Sequence, residues 1–160
     1  MIRRASPEDL PTLASVYAAA RRFMAEHGNP TQWSDRYPLP EDLEADVERG
    51  QLYVWTPDGA VRGAFVLQLG EEPSYRHIEG AWRSEEPYGT IHRVASDGTR
   101  PGLFAACADF CQGRMSHLRI DTHRDNAVMQ HLIARHGFLP CGTIWVEDGT
   151  PRLAYDWLGG

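Results

Sequence analysis

Apolar residues recurring every three or four positions mark four stretches of the chain as helices. Leu10, Leu13, Tyr17, Ala20 and Met24 form the first stripe. Ser6 precedes it as an N-cap, Pro7 takes the first helical position, Asp9 lies three residues beyond the cap, and Gly28 closes the helix. A second helix is predicted from about Pro40 to Arg49, with Leu43 and Val47 one turn apart and Gly50 as its stop. The acidic run from Glu41 to Glu48 reads as its exposed side. Leu103, Ala106, Cys107 and Phe110 define a third helix, ended by Gly113. Met129, Leu132, Ile133 and His136 share one face of a fourth, opened by Asp125 and Asn126 and terminated by Gly137.

Between the helices lie β-branched or alternating runs: Met1 to Arg4, LYVWT, AVRGAFVLQL, Tyr88 to about Ala95, HLRIDTH, Gly142 to Val146 and Arg152 to Trp157. Pro57-Asp58-Gly59 and Glu147-Asp148-Gly149-Thr150 each separate two such runs, which predicts antiparallel hairpins. The order is β-α-α-β-β-β-α-β-α-β-β. Its strand–helix–strand crossovers in the second half require a parallel pair. We therefore expect a single α/β (α+β) domain over residues 1–160, with a mixed, mostly antiparallel sheet, a central parallel pair and about four helices. Two loops are too apolar to be tethers. NPTQWSDRYPLP carries Trp33 and Tyr37, and the polar stretch from Gly70 to Pro87 carries Tyr75, Ile78 and Trp82, so the latter is expected to pack over the sheet. Aromatics so placed either wall a ligand pocket or cap the core.

Composition narrows the class. A chain of 160 residues, 42% hydrophobic and 24% charged, is long enough to bury a core. A formal charge of -6 disfavours a nucleic-acid partner, which needs a basic face. No apolar run is long enough for a membrane span or follows the initial charges as a leader would, so no membrane association and a cytoplasmic location are expected. Three cysteines in no paired pattern suit reduced thiols. Cys107, Cys111 and Cys141 make no zinc set, and His131 and His136, five apart, point differently. Phosphate-loop, dinucleotide and serine-hydrolase motifs are missing.

Candidate chemistry centres on Tyr88 to Cys111. A strand runs into SDGTRPG, in which Gly98 and Gly102 frame a proline, and then into a helix. Unpaired amides and the positive end of a helix gather there, which suits an anion such as a pyrophosphate.

The element order, this strand–loop–helix and the run LRIDTHRDNAVMQHLIARHGFLPCG resemble the GCN5-related N-acetyltransferase (GNAT) superfamily over essentially the whole chain. The resemblance implies an acyl-CoA N-acyltransferase domain that uses acetyl-CoA. On that footing, amides around His92 to Val94 polarise the thioester carbonyl. Val94, Ala95, Ser96, Gly98, Thr99, Arg100, Gly102, Leu103 and Phe104 are cofactor-binding positions, with the amides from Ser96 to Phe104 on the pyrophosphate. Asn126 and Met129 lie against the cofactor further along, and Asn126 and Gly137-Phe138 match the family pattern. Thr99 stands where Gln or Arg is usual, and Phe104 where a second small residue is usual. Phe104 either crowds the phosphates or turns its ring into the core while its N–H faces the ligand; the second needs only backbone, and Arg100 could supply compensating charge. Ile133 stands where a tyrosine usually protonates the departing thiolate. Either another donor serves, or the thiolate leaves unassisted, or the protein is not an active transferase.

Period-two alternation puts Tyr88, Thr90, His92 and Val94 on one face of the central strand, and His123 ends the next strand. An imidazole, with an ordinary pKa of about 6.5, can accept an ammonium proton directly or through water. The catalytic candidates are thus His92, His123 and Tyr88. Arg93, on the opposite face, is expected to pair with an acid such as Asp121. Trp33, Tyr37, Tyr75 and Trp82 are candidates for the acceptor pocket. The leading expectation is transfer of an acetyl group to a small-molecule amine. The alternative is a non-catalytic acyl-CoA-binding or partner-binding domain on the same fold. A homodimer is one admissible assembly on which the sequence is silent.

Overall fold

A computed structural model describes residues 1–33 and 37–159. In chain order its elements are β1 (Ile2–Arg4), α1 (Leu10–Glu26), α2 (Pro40–Glu48), β2 (Leu52–Trp55), β3 (Gly63–Leu69), β4 (Glu79–Gly80), β5 (Gly89–Ser96), α3 (Leu103–Gln112), β6 (His117–Thr122), α4 (Ala127–Arg135), β7 (Leu139–Trp145) and β8 (Pro151–Leu158). The strands form one sheet in the order β1-β2-β3-β5-β6-β8-β7-β4. Only β5 and β6 run parallel, as the crossover through α3 demands, and the remaining pairs are antiparallel, so the expected fold class holds.

The helices cover opposite faces. Leu13, Val16, Tyr17 and Leu43 of α1 and α2 pack on Leu52, Val54, Ala64, Val66 and Ala95. Phe104, Cys107 and Cys111 of α3, with Ile133 and Phe138, pack on Tyr53, Phe65, Leu67, Ile91, Leu118 and Ile120. Strand alternation sorts the two sets: Leu52 and Val54 face one layer, Tyr53 the other. The stretch between Gly70 and Pro87 does pack over the sheet, and Tyr75 forms a small cluster with Ile144 and Ala154 against Ile78, Trp82 and Tyr88. It also contains β4, which the hydrophobic pattern did not reveal. Two residues show no period, and what seats them is the facing pair Gly80 and Gly142, where a Cβ on either would collide with the opposite backbone.

At the entry to α1, the Asp9 carboxylate accepts from the Ser6 N–H at 2.8 Å and takes a two-pronged contact from Arg3 at 2.8 and 3.0 Å. The Arg3 hydrogen bond, followed by opposing burial and the Ser6 amide, holds the Asp9 pKa down at about 2. Under the far end of the sheet, Asp156 of β8 accepts from His117 (2.6 Å), Arg119 (3.0 Å) and the Arg83 amide (2.8 Å), which pins the Gly70 to Pro87 excursion down. Among the described residues no helix is long and apolar enough to cross a membrane, and no group of three or more His, Cys, Asp or Glu is arranged to hold a metal ion.

Candidate active site

Two irregularities in the middle of the sheet make the site. The first is a separation: β5 and β6 pair only at Gly89–Leu118 and Thr90–Arg119, and beyond that the strands part. The second is a bulge in β5, where Val66 faces His92 but Ala64 faces Ala95, so one extra residue stands against β3. Arg93 carries the bulge at φ 51°, a left-handed conformation that costs a non-glycine residue about 1–3 kcal/mol. Three contacts hold it there. The Tyr17 hydroxyl donates to the Arg93 carbonyl at 2.7 Å, Arg93 Nε donates to Tyr37 Oη at 3.0 Å, and Arg93 Nη1 is hydrogen-bonded to Asp46.

This corrects two expectations. Arg93 does not pair with Asp121, because the bulge breaks the alternation and turns its side chain toward α2. Asp121 instead accepts from the Tyr75 hydroxyl at 2.6 Å. Burial pushes the Asp121 carboxyl up, against the charge of His92 and the Tyr75 hydrogen bond. Asp46, inside the acidic run read as exposed, is buried. Its position three residues after Leu43, on the apolar stripe, was the available signal.

A cavity of about 770 Å³ opens where the strands part. Its walls include Ile91, His92, Arg93 and Val94 of β5, Ile120, Asp121 and Thr122 of β6, and Asn126 and Met129 at the start of α4. Trp33 and Tyr37 line it from the loop after α1, and Glu72 and Arg152 from elsewhere in the chain. His92 Nε2 lies 3.3 Å from Glu72 Oε1, inside ion-pair range but off the hydrogen-bond line, and no other group bonds to that buried nitrogen. Burial draws the Glu72 pKa up. The His92 and Ser74 N–H contacts outweigh it and hold the group at about 2, so Glu72 is an anion beside the imidazole. The Glu72 amide donates to Tyr88 Oη at 2.9 Å, and its side chain accepts from the Ser74 N–H at 2.7 Å. Asn126 caps α4 by accepting from the Met129 N–H at 3.1 Å and donates to Gln32 Oε1 at 3.0 Å.

The structure brings His92, Val94, Asn126, Met129, Trp33 and Tyr37 to one cleft and leaves four of the catalytic and acceptor candidates, Tyr88, His123, Trp82 and Tyr75, outside its lining. Tyr88 and Trp82 line a separate depression, where both rings stack on the Arg119 guanidinium at 4.1 and 3.8 Å. His123 has both ring nitrogens occupied: Nδ1 accepts from the Asp125 N–H at 3.0 Å and Nε2 faces Thr31 Oγ1 at 3.2 Å. Burial and then the Arg152 charge lower its pKa. It shapes the turn into α4. Sequence reasoning missed Glu72, Asp121 and Arg152. Glu72-Pro73-Ser74 carried a helix-start signal but no sign of its neighbour His92.

The loop before α3 leaves fewer donors open than its length suggests. Gly98 N–H is taken by Ser96 Oγ (3.1 Å) and Thr99 N–H by Asp97 Oδ1 (2.9 Å), and Arg100 is paired with Asp58 at 3.0 Å. Gly102, at φ 100°, turns the chain into α3 with open space where a Cβ would sit. The N–H groups of Leu103 and Phe104 then begin a helix with no intrahelical acceptor. The Phe104 ring lies in the core beside His136 and Phe138, so its bulk does not stand over those amides. A helix N-terminus of this form next to a parted parallel pair fits the pyrophosphate and extended arm of an acyl-CoA.

No protein-family model matches the chain, and no curated protein does. Among solved structures, an acetyltransferase of the GNAT family from Streptococcus agalactiae 2603 is 30% identical with a TM-score of 0.88, over 100% of this chain and 95% of that one. The chain belongs to the GNAT family of acetyltransferases. A GNAT-family acetyltransferase from Listeria monocytogenes 4b F2365 shares 20% identity with a TM-score of 0.73, over 99% and 94%. The Salmonella typhimurium protein yncA, solved with acetyl-CoA, shares 16% with a TM-score of 0.60, over 99% and 92%. At those identities the likeness is one of fold.

Proposed function

We propose that the chain is an acetyl-CoA-dependent N-acetyltransferase that moves the acetyl group directly onto the amine of a small molecule. The observation that carries this reading is the His92–Glu72 pair facing the bulged backbone of β5 at the mouth of the parted strands. The chemistry acetyl-CoA supplies when bound is an activated thioester, whose C–S bond breaks as the amine nitrogen bonds to the acetyl carbon. The amides of Leu103 and Phe104 would hold its pyrophosphate, and Val94, Asn126 and Met129 would lie along its arm.

The protein's own contribution is mostly position and charge. The bulge leaves one residue of β5 without a ladder partner on β3, and a backbone amide near Arg93 would there donate to a carbonyl oxygen in the cleft. His92 takes the surplus proton of the ammonium, and the Glu72 carboxylate behind it stabilises the resulting imidazolium. Ile133 is fully buried in the core, so no hydroxyl serves at the family's tyrosine position. Tyr37 is the one phenol lining the cleft among the described residues, and burial, opposed by Arg93, raises its pKa and keeps its proton in place. We assign it to the thiolate.

A second reading is favoured by Ile133 itself: a domain that binds acyl-CoA and no longer transfers the acetyl group. Calorimetry with acetyl-CoA, followed by thiol release across an amine panel, separates the two. Binding with release on an amine supports the transferase, binding without release on any amine supports the second reading, and no binding sinks both.

A further inference from the structure

Two guanidinium groups line the cleft, and they are held very differently. Arg93 is satisfied by the Asp46 carboxylate and Tyr37 Oη. Arg152, only 6% exposed, donates to Thr150 Oγ1 at 2.9 Å, the Pro151 carbonyl at 2.9 Å and the Gln32 carbonyl at 3.1 Å, all neutral oxygens. Among the described residues no carboxylate comes within ion-pair distance of it. Its charge opposes the burial that raises Asp121 and adds to the Thr150 contacts that lower Asp148, yet neither carboxylate is within ion-pair distance of it. A guanidinium taken this far out of water ordinarily has an anion beside it, because its desolvation is otherwise uncompensated.

The register of β6 and β8 fixes where this cation stands. Thr122 faces Leu153, so Arg152 sits one step beyond, on the face that carries Asp121 and Ala154. The same cavity presents the carboxylates of Glu72 and Asp121 beside the imidazole of His92, with Asp42 on the α2 side and Glu147 and Asp148 on the hairpin ahead of Arg152, none of them within ion-pair distance of its guanidinium. The cleft thus has one pole suited to an ammonium and, at Arg152, a second suited to an anion.

We propose that the acceptor is a zwitterion: a small amine that also carries a carboxylate, held by the Arg152 fork with its amine directed to His92 and Glu72. Two-pronged recognition of a planar carboxylate is what a guanidinium provides and an ammonium does not. The proposal rests on the acetyl-transfer reading for which end of the ligand reacts, while the binding of the carboxylate does not depend on it.

The test is equilibrium binding by calorimetry to the full chain saturated with CoA. The probes are glycine, L-alanine, L-phenylalanine, β-alanine and γ-aminobutyrate, each measured against its own carboxamide, with thiol release from acetyl-CoA followed in parallel. At least one carboxylate should bind about tenfold or more tightly than its carboxamide, as expected for a charge-assisted hydrogen bond. In Arg152→Gln that ratio should fall to near one, and Arg152→Lys should recover only part of it. Because Arg152 also ties down the Gln32 loop, the wild-type ratios decide the matter if the variants fail to fold. Equal binding within every pair overturns the proposal, as does a ratio that survives Arg152→Gln. Weakened CoA binding in Arg152→Gln with an unchanged ratio also overturns it, by moving Arg152 to the cofactor phosphates. A carboxylate preference with no thiol release on any amine supports the site and counts against acetyl transfer.

Discussion

Replacing Glu72 with Gln tests the charge at the centre of the cleft and little else, because Gln keeps an oxygen for the Ser74 N–H that Glu72 now accepts at 2.7 Å. The side chain is 16% exposed, so screening by water is limited. A fall from an ordinary 4.5 to about 2, at about 1.4 kcal/mol per tenfold, bounds the contribution of the ionised form at roughly 3 kcal/mol. Because Gln keeps a hydrogen-bond acceptor for the Ser74 N–H, the expected loss is about 1–2 kcal/mol. The sign follows from a depressed carboxylate: its stabilisation is complete above the unfolded value near 4.5 and disappears as pH falls toward about 2. Urea unfolding across that window should show the wild type and Glu72→Gln separated at neutral pH and converging at the acid end, with unchanged m. In turnover, kcat should drop and the acid limb of the pH–rate profile should move to lower pH, since the imidazolium loses its counter-charge. A stability gap that persists undiminished at the acid end, or a pH–rate profile that does not move, would refute the pairing.

Three further outcomes are expected. His92→Ala should reduce kcat by about 10²–10⁴-fold with little change in acetyl-CoA affinity, and an unaltered pH–rate profile would dismiss it as the proton acceptor. Phe104→Ala should destabilise the fold by about 3–5 kcal/mol in denaturant while leaving CoA affinity within a few-fold, because its ring is core and only its amide faces the ligand; a selective loss of CoA binding would contradict this. Asp9→Asn should cost about 1 kcal/mol at neutral pH, discounted because Arg3 is 45% exposed, and the loss should vanish as pH falls through about 2; equal stability at neutral pH would show the Arg3–Asp9 contact to be inert.

The departures from the sequence reading are local. Period-two alternation put Tyr88 with His92 and Arg93 across from them, yet β5 begins only at Gly89 and the bulge at Arg93 resets the alternation. Tyr88 lies before the strand and lines the neighbouring depression, while the residue inserted at the bulge gave Arg93 to Asp46. His123 and Trp82 looked available because imidazole and indole at loop edges often serve ligands, but each is spent on structure: His123 on the turn into α4, Trp82 on the Tyr75 carbonyl at 3.0 Å and the Arg119 guanidinium.

What the sequence determined by itself was everything that depends on spacing along the chain. Helical stripes, Gly stops, hairpin turns and the crossover through α3 dictated the mixed sheet and its parallel pair, because burial of a regular element writes its period into neighbouring residues. The Asn126 cap and the loop ending at Gly102 were legible for the same reason, since capping and left-handed turns are short-range demands. What only the tertiary structure decided was which side chains meet. Glu72 reaches His92 from the excursion over the sheet, Tyr17 and Asp46 hold the bulge from two helices, and Arg152 stands against a loop 120 residues earlier in the chain. Those contacts depend on where a bulge falls and how two strands part, and neither leaves a period in the residues that bring it about.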